Sequence, residues 1–179
     1  MLFRSGGMFK KGEVTNVIQE ARKRKTVQFK TDRASFMQDL VADIELAIKQ
    51  SKRLGLTPVF RLNGTSDLSW EKYSVVRNGT IFSNIFNAFP EVKFYDYTKI
   101  LGRRVAGIAN YSLTFSAADG NESDVYRAIS EGYNIAVVFG IKKSQPMPET
   151  YLGLPVFNGD ESDLRFLDPK NSKIGRAHV

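Results

Sequence analysis

Residues 83–99 read SNIFNAFPEVKFYDYTK, and the change of period inside this stretch decides the fold. In its first half Ile85, Phe86 and Phe89 recur at helical spacing, so 83–89 is expected to form a short helix with these side chains inward. Pro90 lacks the N–H that a continuing helix needs, and it closes the segment. From Val92 to Tyr97 the residues alternate instead. Phe94 and Asp96 fall on one face and Tyr95 and Tyr97 on the other, the period of a β-strand. Helix, proline or glycine, apolar strand and polar turn follow one another as in a βα unit.

The same order recurs on both sides. Upstream, 14–25 (VTNVIQEARKRK) sets Val14, Val17, Ile18 and Ala21 on one helical stripe and ends in a basic run that suits a helix C-terminus. Thr31-Asp32 offers the start of a second helix, in which Phe36, Leu40, Ile44, Ala47 and Ile48 recur at or near three- and four-residue steps until Gly55. Residues 57–62 (TPVFRL) read as the first strand, and Arg77-Asn78-Gly79-Thr80 as a hairpin turn. Downstream come a strand at 109–115, a helix at 122–131 stopped by Gly132, an apolar strand at 134–139, and short strand-like pieces at 154–157 and 164–166. Strands separated by helices, some continuously apolar, imply an α/β fold: a mostly parallel sheet with flanking helices. A partial or irregular (β/α) barrel and an open sheet both satisfy this pattern.

The chain has 179 residues, 26 Lys+Arg against 19 Asp+Glu, one His and no Cys. That length fits one domain with a proper core. No run of about 18 apolar residues exists, so no partnership with a membrane is expected. The N-terminus lacks a secretory signal pattern. Without cysteine this chain has no disulfide, thiolate or Cys-ligated cluster chemistry, and one His excludes a two-His metal site.

The two ends read as foreign. Residues 174–179 (IGRAHV) and 1–5 (MLFRS) can be encoded by one sequencing-adapter sequence read on opposite strands. Residues 6–173 are therefore expected to be a single natural α/β domain, a metagenomic fragment of a protein that extends both ways. On that reading His178 is not native. Removing Arg4 and Arg176 from the 26 basic residues leaves 24 against 19 acidic, so the net charge of +7 falls to +5.

In parallel α/β folds ligands gather at the carboxyl ends of the strands. That edge collects Arg61, Asn63, Thr65, Ser66 and Asp67 after the first strand, and Tyr95, Asp96, Tyr97, Thr98 and Lys99 with the second. Ser112, Thr114 and Ser116 come with the third, Lys142 and Lys143 follow the fourth, and Asn158, Asp160 and Asp163 the last. The candidate ligand-binding rim is Arg61, Asn63, Asp67, Asp96, Tyr97 and Lys99. Turn and helix-cap chemistry also accounts for residues 63–67. A carboxylate in an aromatic strand and an arginine in an apolar one each require a partner, and an Arg61–Asp96 pair or a ligand clamp would supply it. The basic run Arg22, Lys23, Arg24 and Lys25 is the candidate nucleic-acid contact, with Lys10, Lys11, Lys30, Arg103-Arg104 and Lys142-Lys143 in support. A solvated helix end is the other reading of that run. No Walker, HExxH or Ser/His/Asp arrangement is present, so no catalytic residue is assigned.

Residues 61–68 (RLNGTSDL), 89–99 (FPEVKFYDYTK), 110–116 (NYSLTFS) and 160–169 (DESDLRFLDP) resemble an uncharacterised family of phage and plasmid proteins, akin to the mycobacteriophage gene product 88 family. The resemblance spans nearly all of 6–170. It implies a mobile-element protein in the bacterial cytoplasm. It also implies a Cys-rich segment before Gly6-Gly7-Met8 and a Lys- and Gly-rich stretch after Pro169, both outside this chain. Clustered cysteines imply a metal or iron–sulfur cluster in the intact protein, with none in this fragment. The first expected function is thus a fragment of a cluster-bearing, barrel-like enzyme acting on a small molecule. The alternative is a nucleic-acid-binding accessory protein of phage or plasmid replication.

Overall fold

The computed structural model describes residues 17–103, 105–142, 145–169 and, for the backbone, 173–177. Expectations that fall on residues 1–16, Arg104, Lys143 or His178 lie outside the described residues. In chain order the elements are α1 (Val17–Thr31), α2 (Arg33–Arg53), β1 (Val59–Phe60), a 3-10 turn (Trp70–Lys72), β2 (Val75–Arg77), β3 (Thr80–Phe82), α3 (Ile85–Ala88), β4 (Lys93–Thr98), β5 (Tyr111–Ser116), α4 (Glu122–Ser130), β6 (Asn134–Phe139), β7 (Thr150–Tyr151), β8 (Leu154–Asn158), a second 3-10 turn (Arg165–Leu167) and β9 (Lys173–Ala177).

Local chemistry sets the helix ends. The Asp32 carboxylate accepts the Ser35 N–H at 3.1 Å and so starts α2, and Gly55, at φ +66°, lets the chain turn away after it. Asp32→Ala is expected to lower stability by about 1 kcal/mol. Urea unfolding checks this, and an unchanged midpoint would show that the cap does nothing. α1 runs further than its apolar pattern because Phe29 packs against Phe36, Trp70 and Tyr73 with ring centroids 5.3, 6.0 and 5.3 Å apart. The hairpin β2–β3 turns on Asn78 and Gly79, at φ 51° and 76°, as a two-residue turn with both central residues at positive φ requires.

One seven-stranded sheet has the order β1-β4-β5-β6-β9-β8-β7. Every neighbouring pair is parallel except β7–β8. It is open, with β1 and β7 as its edges, so among the described residues the barrel alternative gives way to an open α/β sheet. Phe94 pairs with Tyr111, Asp96 with Leu113 and Thr98 with Phe115, and these residues share one face. On that face α2, α3 and the hairpin bury Met37, Val41, Ile44, Phe86 and Phe89 with Phe94, while α4 places Val125 and Ala128 against Phe115 and Ile135. Phe86 stacks on Tyr111 at 3.9 Å and meets Phe94 edge-on at 5.1 Å.

The opposite face carries Tyr95, Tyr97, Ser112, Thr114 and Ser116, and the second 3-10 turn packs on β4 and β5. Two expectations change. The stretch 164–166, expected as a strand, leads instead into this turn at Arg165–Leu167, because its short apolar pattern cannot be told from a strand's by period alone. β1 keeps two ladder residues, because beyond it the Asn63 N–H bonds to the Asp96 carboxylate instead of to a strand. Residues 173–177, most of them in the stretch read as adapter-encoded, form β9 between β6 and β8.

Candidate functional site

The six rim residues do not converge on one pocket, and the expected Arg61–Asp96 pair does not form. Alternation along β4 separates them. Asp96 lies on the helix-covered face, fully buried, where Oδ1 accepts the Asn63 N–H at 2.7 Å and Oδ2 accepts the Tyr111 hydroxyl at 3.2 Å. Arg61 follows β1 onto the other face. It pairs with Asp163 at 3.2 Å and lays its guanidinium over the Tyr97 ring at 4.6 Å.

The buried side is a connected polar network. Asn63 organises the loop after β1: its Oδ1 accepts from Ser66, Leu68 N–H and the Trp70 indole at 2.9 to 3.0 Å, and its amide donates to the Leu68 carbonyl at 3.0 Å. Asp67 ties that loop to the end of β4, accepting from the Thr98 hydroxyl and the Lys99 N–H, both at 2.7 Å. Lys99 therefore enters through its backbone. Below them Arg103 donates to Glu71 through Nε at 3.0 Å and Nη2 at 2.6 Å, and to the Tyr111 hydroxyl at 3.1 Å, with Asp67 3.5 Å from Nη1. Burial pushes the Asp96 carboxyl up to about 7, against the pull of the Asn63 N–H, the Tyr111 hydroxyl and the nearby arginines. Burial works hardest to raise Glu71, but the Arg103 hydrogen bonds, a backbone N–H and the Arg103 and Lys72 charges together outweigh it and hold the carboxyl below the ordinary range. Tyr111 is raised by burial and by the Asp96 charge.

Arg103, Glu71 and Tyr111 were not legible as a site. Arg103 looked like half of a basic pair; its side chain is only 1 % exposed, so it cannot meet a phosphate backbone. The one available signal was the requirement that buried Asp96 have partners.

The other face holds a second constellation. The Asp163 carboxylate accepts the Tyr95 hydroxyl at 3.2 Å and the Tyr97 hydroxyl at 3.0 Å, in addition to its pair with Arg61. Burial, together with the Asp163 charge, pushes the Tyr95 hydroxyl up to about 12. Two residues on, the Arg165 side chain is buried beside Asp168, with Nε 3.4 Å from Oδ2, and its Nη2 donates to the Ser162 carbonyl. Burial and Asp163 raise the Asp168 carboxyl, opposed by Arg165. Arg165 Nε and Nη1 and Asp168 Oδ2 are buried without a hydrogen-bond partner among the described residues.

The basic run sits apart from both. Arg22, Lys23, Arg24 and Lys25 are exposed on α1, which buries none of its residues. Lys23 pairs with Glu20 at 2.9 Å and Lys25 approaches Asp43 at 3.9 Å. Four consecutive positions point around the helix and make no single stripe.

The fold and these two clusters define the class: an α/β protein whose parallel sheet has helices on one face and hydroxyls, arginines and carboxylates on the other. The chain belongs to the Gene product 88 family, whose model matches residues 9–178, a phage gene-product family. No curated protein and no solved structure matches it. No described helix is long and apolar enough to cross a membrane. The chain has no cysteine, and the described residues hold no group of three or more His, Cys, Asp or Glu that could bind a metal. The residues present thus do not fit the cluster implied by the resemblance.

Proposed function

We propose that this chain is the ligand-binding part of an enzyme-like α/β protein of a phage, acting on a small polar molecule held against the helix-free face of the sheet. Arg61, Tyr97 and Asp163 would line that site with Ser112 and Ser116. The carrying observation is the polarity of the face. Parallel sheets are ordinarily covered on both sides and are apolar on both. Here β4 and β5 turn Tyr95, Tyr97, Ser112, Thr114 and Ser116 to one side, where the second 3-10 turn packs on the strands and Asp163 and Arg61 meet the tyrosines. Such a face favours a ligand that offers hydrogen bonds over another apolar layer. Asn63, Asp67 and Asp96, spent on the loop after β1, on Thr98 and the Lys99 N–H and on Tyr111, hold the strand ends that carry Arg61 and Tyr97. A metal or iron–sulfur cluster, and any catalytic residue it serves, belongs in this proposal to the intact protein and to segments outside this chain.

The test is a thermal-shift panel of sugars, amino acids, nucleosides, carboxylates and phosphate esters, run on the wild-type chain and on Ser112→Leu. Ser112→Leu fills the face and leaves the core untouched. At least one compound class is expected to raise the wild-type melting temperature by a few degrees, through selective binding to the folded state, and to leave Ser112→Leu unmoved. Equal shifts in both proteins would place binding elsewhere. No shift, together with a gel retardation of duplex DNA that weakens steeply with salt, would move the function to α1 and the alternative of a nucleic-acid accessory protein.

A further inference from the structure

Resting on that reading of the helix-free face, we propose that Arg165 is its anion anchor, and that the ligand carries a small oxyanion, a phosphate or carboxylate group. Two independent observations support this assignment. Arg165 is 3 % exposed, and its Nε and Nη1 have no hydrogen-bond partner among the described residues. A buried guanidinium normally spends all its donors on acceptors, since an unmet charged donor costs more than a neutral one. The turn that carries it packs on β4 and β5, where Ser112, Thr114 and Ser116 share the face and make no side-chain hydrogen bond among the described residues.

The neighbouring carboxylates do not already fill the role. Asp163 accepts from Arg61, Tyr95 and Tyr97, so it is committed to those three donors. Asp168 Oδ2 forms an ion pair with Nε at 3.4 Å but no hydrogen bond, and Nη1 has no hydrogen bond either, so Asp168 answers the guanidinium only in part. A guanidinium with spare N–H groups, on a turn packed against strands that carry aliphatic hydroxyls, offers the kind of donors that a planar carboxylate or a tetrahedral phosphate takes. A neutral ligand would satisfy the hydroxyls and leave the charge unanswered. Phosphate and carboxylate present the same oxygens to these donors, so the experiment carries both.

Inorganic phosphate and acetate are titrated separately into the chain at constant ionic strength, with the melting temperature as readout, for wild type, Arg165→Lys, Ser112→Leu and Arg22→Ala. At least one anion is expected to give a saturating rise in wild type and in Arg22→Ala. Arg165→Lys, which keeps the charge but loses the planar fork, is expected to bind at least about tenfold more weakly. Ser112→Leu is expected to show no saturating rise, and it serves on its own should Arg165→Lys not fold. A non-saturating rise common to all four proteins is general salting by an excluded ion and overturns the inference. A saturating rise unaffected by Arg165→Lys and Ser112→Leu overturns it as well. If neither anion binds while neutral compounds of the panel still do, the anion assignment fails and the ligand site stands. If nothing binds, both fail together.

Discussion

Replacing Glu71 with alanine is expected to cost about 3 to 5 kcal/mol of folding free energy, the range found when one partner of a buried ion pair is removed. The pair is bidentate, with Arg103 Nε and Nη2 at 3.0 and 2.6 Å from the two Glu71 oxygens, and the two side chains are 1 % and 5 % exposed. Without Glu71 the guanidinium stays in the interior with Asp67, 3.5 Å from Nη1, as its remaining ion-pair partner among the described residues. Asp67 cannot replace it: its oxygens already accept from Thr98 and the Lys99 N–H, and it lies 3.5 Å from Nη1. The penalty comes from an unanswered charge more than from the bond itself. Glu71→Leu combined with Arg103→Met should therefore recover much of the loss, because an apolar pair of similar volume has no ion to desolvate. Urea unfolding of the two single variants and the double variant gives the coupling. A Glu71→Ala cost below about 1 kcal/mol would mean that Arg103 reaches water, contrary to its burial.

The second large effect is a pH dependence carried by Asp96. Its carboxyl, with an ordinary value of 3.8, is pushed up to about 7 by burial. The folded chain thus holds the Asp96 proton more tightly than the unfolded chain. The sign follows: this contribution is fully present below about pH 4, falls as pH rises, and is lost once pH passes about 7. At 1.36 kcal/mol per pH unit, the span amounts to at most about 4 kcal/mol. Glu71, held below its ordinary value, gives stability of the opposite slope that disappears in acid. Unfolding free energies at pH 4 to 8 should therefore be compared between wild type and Asp96→Asn, whose neutral amide stands in for the protonated acid. The Asn variant is expected to match wild type near pH 4 and to exceed it by a few kcal/mol at pH 8. Parallel curves would mean that Asp96 remains ionised throughout and that Asn63 and Tyr111 outweigh its burial.

What the sequence made legible follows from the range of each signal. Period-2 alternation fixed the two faces of β4, since neighbouring side chains must diverge: Tyr95 and Tyr97 meet Asp163, while Phe94 packs on Phe86 and Asp96 meets Tyr111. Asp32, Gly55 and Asn78-Gly79 announced their turns through local backbone chemistry. The Arg61–Asp96 pair failed because alternation fixes the face within one strand and leaves the register between strands open. Arg61 emerges level with Tyr95 and points away from Asp96; its partner Asp163 is 102 residues distant in the chain. Arg103 was unreadable for a similar reason. A loop residue beside Arg104 looks solvated until Glu71 and Tyr111 are brought to it from two other elements. Of the six rim residues, Asp96 and Arg61 were marked as requiring partners; Asp96 has them in the Asn63 N–H and the Tyr111 hydroxyl, and Arg61 in Asp163.

The position of β9 has a kinetic consequence. The strand latest in the chain lies between two that precede it, β6 and β8. During synthesis β4, β5 and β6 can assemble with their helices as soon as they emerge, but the β6 edge then faces water with its parallel ladder unmet. It stays so until residues 173–177 arrive. For that interval the nascent chain displays an apolar strand, NIAVVF, as a template that any other extended segment can join. Folding yield should accordingly depend on how quickly translation delivers residues 173–177 and on chain concentration, while the stability of the completed sheet depends on neither.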